Sequence, residues 1–247
     1  MAVGVVTVFA LTWSASPGAA ADPSADAVAL ADEATMTDAG RDLFYGHDPR
    51  VLDADTFAGR CPRGAAGCYS AAAAAIVVYE PADERLHGWV VTVAVHEMLH
   101  AAFDSLSPAD RRDVEALLAS TVAALSPDDP LLVQVEASVD GREQSRATEL
   151  FAYVGTQVPQ VDPRLEEVYA RFLDDRQAIV HAYTSTSALL ASLAAELSAQ
   201  QLVLDQLLTE GRTAEAVAQR SVVDDLTDDI VMLHAQITLT GSDVLSR

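Results

Sequence analysis

Residues 91–99 are apolar at nearly every position and run into His96-Glu97-Met98-Leu99-His100, too apolar a stretch for a helix on the surface. It predicts a buried helix that ends near Ser105. Just before it, Ala75-Ile76-Val77-Val78-Tyr79 is short, β-branched and aromatic, and reads as a strand. After it, Ser107-Pro108-Ala109-Asp110 has the form of a helix start, with Ser107 as N-cap and Pro108 at the first position. Val114, Leu117, Leu118, Val122 and Leu125 then follow at spacings of three and four. Residues 131–137 form a short apolar element, and beyond Gly141 a further helix carries Leu150, Phe151 and Val154. Asp162-Pro163 opens another, expected to run through Leu165, Val168, Tyr169, Phe172 and Leu173. Nearer the start, residues 22–33 read as an acidic, Ala-rich linker or weak helix, and a short helix from Thr37 turns at Gly46-His47-Asp48-Pro49.

From Ser185 the pattern changes. Leu190, Leu193, Leu197, Leu204 and Leu207 step by three, four or seven, and Val223, Leu226, Ile230, Leu233 and Ile237 form a heptad seam. With Glu210-Gly211-Arg212-Thr213 as the turn, this predicts an antiparallel helical hairpin or coiled coil. The fold expected is α+β and predominantly helical, with a main domain over residues 22–184 and a hairpin appendage over 185–247.

His96 and His100 lie one helical turn apart on one face, where two imidazoles can hold one zinc ion. Glu97, about 100° further round the helix, can flank that ion without ligating it, as a general base for water must. The competing reading is a buried helix whose histidines are hydrogen-bonded core residues. A catalytic zinc commonly keeps three protein ligands and one open place. Glu149 and Glu143 are the candidates for the third, Glu143 also suiting an acidic first helical turn. Tyr153 and Tyr169 are candidates to stabilise an oxyanion, though both sit on apolar faces. His87 reads as a loop residue with a possible substrate contact, His47 as a turn residue, His181 as structural and His234 as a surface residue.

Glu149-Leu150-Phe151-Ala152 is a Glu-x-x-Ala element, and together with the His-Glu-x-x-His helix it resembles the gluzincin branch of the zincin metallopeptidases. The resemblance covers two short helices. It implies a zincin-like catalytic domain in which His96, His100 and Glu149 hold Zn²⁺, Glu97 is the catalytic base, and the substrate is a peptide or protein. It implies further that an edge strand beside the zinc helix, here Ala75–Tyr79, pairs with the extended substrate. Small Ala152 would let the two helices approach closely. The thermolysin-like pattern places an Asp where Tyr153 stands, so another group must orient the zinc histidine. His100 is followed by Ala101-Ala102-Phe103, which lacks the metzincin extension.

Half of the 247 residues are hydrophobic, enough for a substantial core. Thirty-seven acidic side chains against 15 basic ones, all arginine, give a net charge of −22, which repels nucleic acid and anionic lipid. Residues 1–13 are apolar and end in a run of small residues to Ala21, like a signal peptide or an anchor remnant, so export and membrane association through the N-terminus are expected. Cys61 and Cys68, in a Gly- and Pro-containing loop, are expected to form a disulfide, which fits an extracytoplasmic protein. The reading is an exported zinc metallopeptidase whose hairpin can bind a protein partner. The alternative is an envelope adaptor with a structural or vestigial zinc site.

Overall fold

The computed structural model describes residues 22–139 and 141–238. The signal-peptide-like stretch 1–21 lies outside them. The chain is predominantly helical with one small sheet, in the order α1 (Ala25–Glu33), α2 (Asp38–Gly46), β1 (Arg50–Leu52), α3 (Ala54–Phe57), β2 (Gly67–Ser70), β3 (Ala75–Tyr79), α4 (His87–Ser105), α5 (Pro108–Ala124), α6 (Pro130–Val139), α7 (Arg146–Gln157), α8 (Pro163–Tyr169), α9 (Arg176–Thr209) and α10 (Thr213–Thr238). Side-chain caps start many of these helices. Ser24, Thr37, Asp53, Ser107, Asp162 and Asp175 each accept a backbone N–H from the first turn that has no partner within the helix.

Helix α4 is the axis of the main body. Val90, Val91, Ala94, Val95, Met98, Leu99, Ala101, Ala102 and Phe103 are all buried, so the helix is covered on nearly every side. It packs against α7, α9 and the sheet. Truncating a fully buried side chain here, such as Leu99, costs about 2–5 kcal/mol.

In the sheet β3 is central, which corrects the expectation that Ala75–Tyr79 is an edge strand. It pairs in parallel with β1 and antiparallel with β2, giving the order β1-β3-β2. With three and four residues, β1 and β2 are too short to show an alternation in the sequence, and β2 starts inside the cysteine loop. The edge strand beside α4 is therefore β2. The disulfide between Cys61 and Cys68 ties that strand to the loop preceding it.

Helix α8 stops at Tyr169, short of the stripe through Phe172 and Leu173. Thr37 takes up the carbonyls exposed beyond that end: its hydroxyl donates to the Arg171 oxygen and its N–H to the Phe172 oxygen. Leu173 instead forms an antiparallel bridge with Met36.

The hairpin is antiparallel, α9 against α10, turning at Gly211, whose φ of +72° is glycine territory. The expected boundary at residue 185 falls inside α9, which runs for 34 residues without a break. The hydroxyls around that boundary do not cap a new helix: Thr184, Thr186 and Ser187 turn back and donate to the carbonyls of Val180, Ala182 and Tyr183 within α9. One end of the hairpin is thus the root of the main body.

Candidate metal centre

Helices α4 and α7 lie close together because small residues face the contact. Ala152 is fully buried, and a methyl group added to Gly155 would come within 2.6 Å of Leu99 Cδ1 and 2.8 Å of Tyr169 Cε1. The far end of α7 is fixed by Arg176, whose buried guanidinium donates to the carbonyls of Gly155, Val158 and Pro159 and pairs with Glu166 at 2.7 Å. The near end carries Glu149 in its first turn, pointing at the two histidines of α4.

His96, His100 and Glu149 converge, with one donor atom from each lying within 4.8 Å of the others. Glu149 Oε2 stands 3.6 Å from His96 Nε2 and 3.7 Å from His100 Nε2. Hydrogen-bonded pairs close to about 2.7–3.2 Å. The observed gaps are nearer the edge of a tetrahedron with metal bonds of about 2.0–2.1 Å, which is about 3.3–3.5 Å. Two imidazole nitrogens and one carboxylate oxygen are also a donor set that zinc accepts. The residues present therefore fit the ion that the motif implies.

Charge at this centre is shaped by burial. Desolvation pushes the Glu97 carboxyl up to about 7; the Glu149 charge adds to this, while His96 and the Tyr69 backbone N–H oppose it. His100 is pushed down to about 3, first by burial and then by His96, so its ring stays neutral with a lone pair available. Burial pushes Glu149 up as well, but the two imidazoles and Arg142 outweigh it and hold this carboxyl below its ordinary value. Two carboxyls in one site are thus driven in opposite directions.

The walls come from strand β2, which the sequence did not announce, and from further residues of α7. Strand β2 passes so near Glu97 that a Cβ on Gly67 would lie 2.9 Å from its Oε1 and 2.8 Å from Val93 Cγ1. Tyr69, two residues on, is nearly parallel to the His100 ring at 6.3 Å and donates its hydroxyl to Asp104 at 3.2 Å. Thr148 Oγ1 lies 2.8 Å from His100 Nδ1. The Tyr153 ring meets His96 edge-on at 4.5 Å. A glycine beside a cysteine and a hydroxyl residue beside Glu149 were signals of a kind, but their partners are set by tertiary placement.

The remaining candidates fall away from the centre. Glu143, the rival ligand, is 71% exposed and pairs with Arg146 at 2.9 Å, whereas the Glu149 side chain is 13% exposed. Tyr169 is fully buried and donates to the Phe151 carbonyl at 2.8 Å, which spends its hydroxyl in the core. Tyr153 borders the site, but its hydroxyl is 2.7 Å from Ser138 Oγ. His87 is 2.6 Å from Glu33 of α1, His47 bonds the Leu43 carbonyl, and His181 lies 3.3 Å from Ser185 Oγ within α9. No protein-family model matches the chain, and it matches no curated protein and no solved structure.

Proposed function

We propose that the chain is a zinc-dependent peptidase of the gluzincin type, working outside the cytoplasm. The observation that carries this reading is the convergence of His96, His100 and Glu149 within 4.8 Å, Glu149 standing 3.6 and 3.7 Å from the two imidazole nitrogens, with a buried glutamate at their side. Bound there, Zn²⁺ supplies a Lewis acid that polarises a carbonyl and acidifies water. Three protein donors leave a fourth place open, as a hydrolytic site requires. Glu97 accepts the proton of the attacking water and delivers it to the leaving amine. The tyrosines beside the histidines restrict how the rings can turn. An extended peptide would lie along β2, the edge strand whose Gly67 and Tyr69 flank Glu97. The Cys61–Cys68 disulfide supports an oxidising compartment.

A second reading, an envelope adaptor with a structural zinc, is favoured by the hairpin, where Leu202 and Val217 are 71% and 68% exposed. The variant Glu97→Gln separates the two. A peptidase retains stoichiometric zinc and loses about 10²–10⁴-fold in kcat on a protein or peptide substrate, whereas His96→Ala loses the zinc itself. Equal turnover in wild type and Glu97→Gln, or wild type that takes up no zinc, would overturn the peptidase.

A further inference from the structure

A ligating imidazole must present one nitrogen to the ion, and the hydrogen bond made by the other nitrogen decides which one is free. His100 Nε2 faces Glu149, and Nδ1 faces the Thr148 hydroxyl at 2.8 Å. Thr148 immediately precedes Glu149 in α7, so one stretch of backbone supplies both a candidate donor and the group behind its neighbour. The position four residues beyond Glu149 is Tyr153, whose hydroxyl is turned to Ser138 and whose ring faces His96. Among the described residues, no carboxylate is hydrogen-bonded to His100 Nδ1. Thr148 occupies that place.

We infer that Thr148 is a positioning residue: its hydroxyl oxygen accepts the Nδ1–H of His100, fixing the tautomer and ring angle that turn the Nε2 lone pair toward the ion. The inference rests on the zinc-site reading, but its first consequence is a property of the imidazole that can be read without any ion. Thr148 is partly exposed at the start of a helix, so Thr148→Val keeps the shape and removes the hydrogen-bonding oxygen. Thr148→Ser restores that oxygen.

The test uses the full chain in chelator-treated and zinc-titrated forms. Long-range ¹H–¹⁵N correlation at about pH 8, above the ordinary imidazole range, reports the His100 tautomer. Wild type and Thr148→Ser are expected in the Nδ1–H form, and Thr148→Val is expected to lose that preference. In competition with a chromogenic chelator, Thr148→Val weakens zinc binding by about 10–100-fold, and Thr148→Ser stays near wild type. Thr148→Val with an unchanged tautomer, or wild type found in the Nε2–H form, overturns the inference. Wild type that shows the Nδ1–H form but takes up no zinc sinks the peptidase and with it the positioning toward an ion, leaving only the hold of Thr148 on the His100 tautomer.

Discussion

At the scale of single residues, Glu97 couples the site to stability. Burial raises its folded-state pKa from 4.5 to about 7, so the folded chain holds a proton that the unfolded chain releases between those values. Its contribution to stability is complete below pH 4.5 and is lost as pH rises through about 7. In chelator-treated protein, the Tm of Glu97→Gln relative to wild type should therefore climb over that window, by on the order of 5 °C, and level off above it. A difference that is flat with pH would mean that Glu97 is solvated. Gly67 makes a second prediction, since the Cβ of Gly67→Ala would meet Glu97 Oε1 and Val93. Kcat should fall while zinc content holds, at a stability cost of about 1–3 kcal/mol. The convergence of His96, His100 and Glu149 beside Glu97 could be anticipated from the sequence because histidines four apart share one helix face and the Glu-x-x-Ala element offers a third donor. The contacts of Thr148, Tyr69 and Gly67 could not, because they exist only once β2 and α7 come together around α4.

At the scale of elements, caps and apolar spacing made the helices legible. Ser107, Thr37 and Asp162 cap where their sequence context says they should. The sheet was less legible because β1 and β2 are too short for a period of two, so only β3 could be read, and the expectation of an edge strand fell on it. The two-helix core of the site depends on how close α4 and α7 come. Gly155→Ala tests this, since alanine gains about 1 kcal/mol in helix propensity over glycine yet places a methyl group against Leu99 and Tyr169. The clash should win, giving a net loss of about 1–2 kcal/mol. Calorimetry and a zinc titration measure the two expected effects, a lower Tm and weaker binding as Glu149 is pushed from the histidines. A rise in Tm would show that the interface is loose.

At the scale of the whole molecule, the hairpin leaves the body through α9 and returns to it through α10. The returning end is fastened by polar contacts. Arg85, beside the start of α4, holds Asp229 of α10 through two hydrogen bonds of 2.8 and 2.6 Å and also pairs with Asp83, while Gln236 accepts the Asp83 N–H at 3.0 Å. The heptad seam made the pairing of α9 with α10 legible, but this fastening joins residues far apart in sequence and had no local signal. The side chains are partly exposed, so the ion pair contributes at most about 1 kcal/mol. That is too little to govern unfolding but enough to govern where the hairpin end rests. The guanidinium holds both Asp carboxyls below their ordinary 3.8, so the fastening is intact above that pH and released as pH falls below it. Arg85→Ala should leave Tm within about 2 °C of wild type. Spin labels placed on α10 and α2 should nevertheless show a broadened distance distribution in Arg85→Ala at neutral pH, and in wild type only below about pH 4. Unchanged distributions in both cases would mean that apolar contacts of buried Leu233, rather than this charge cluster, hold the returning end.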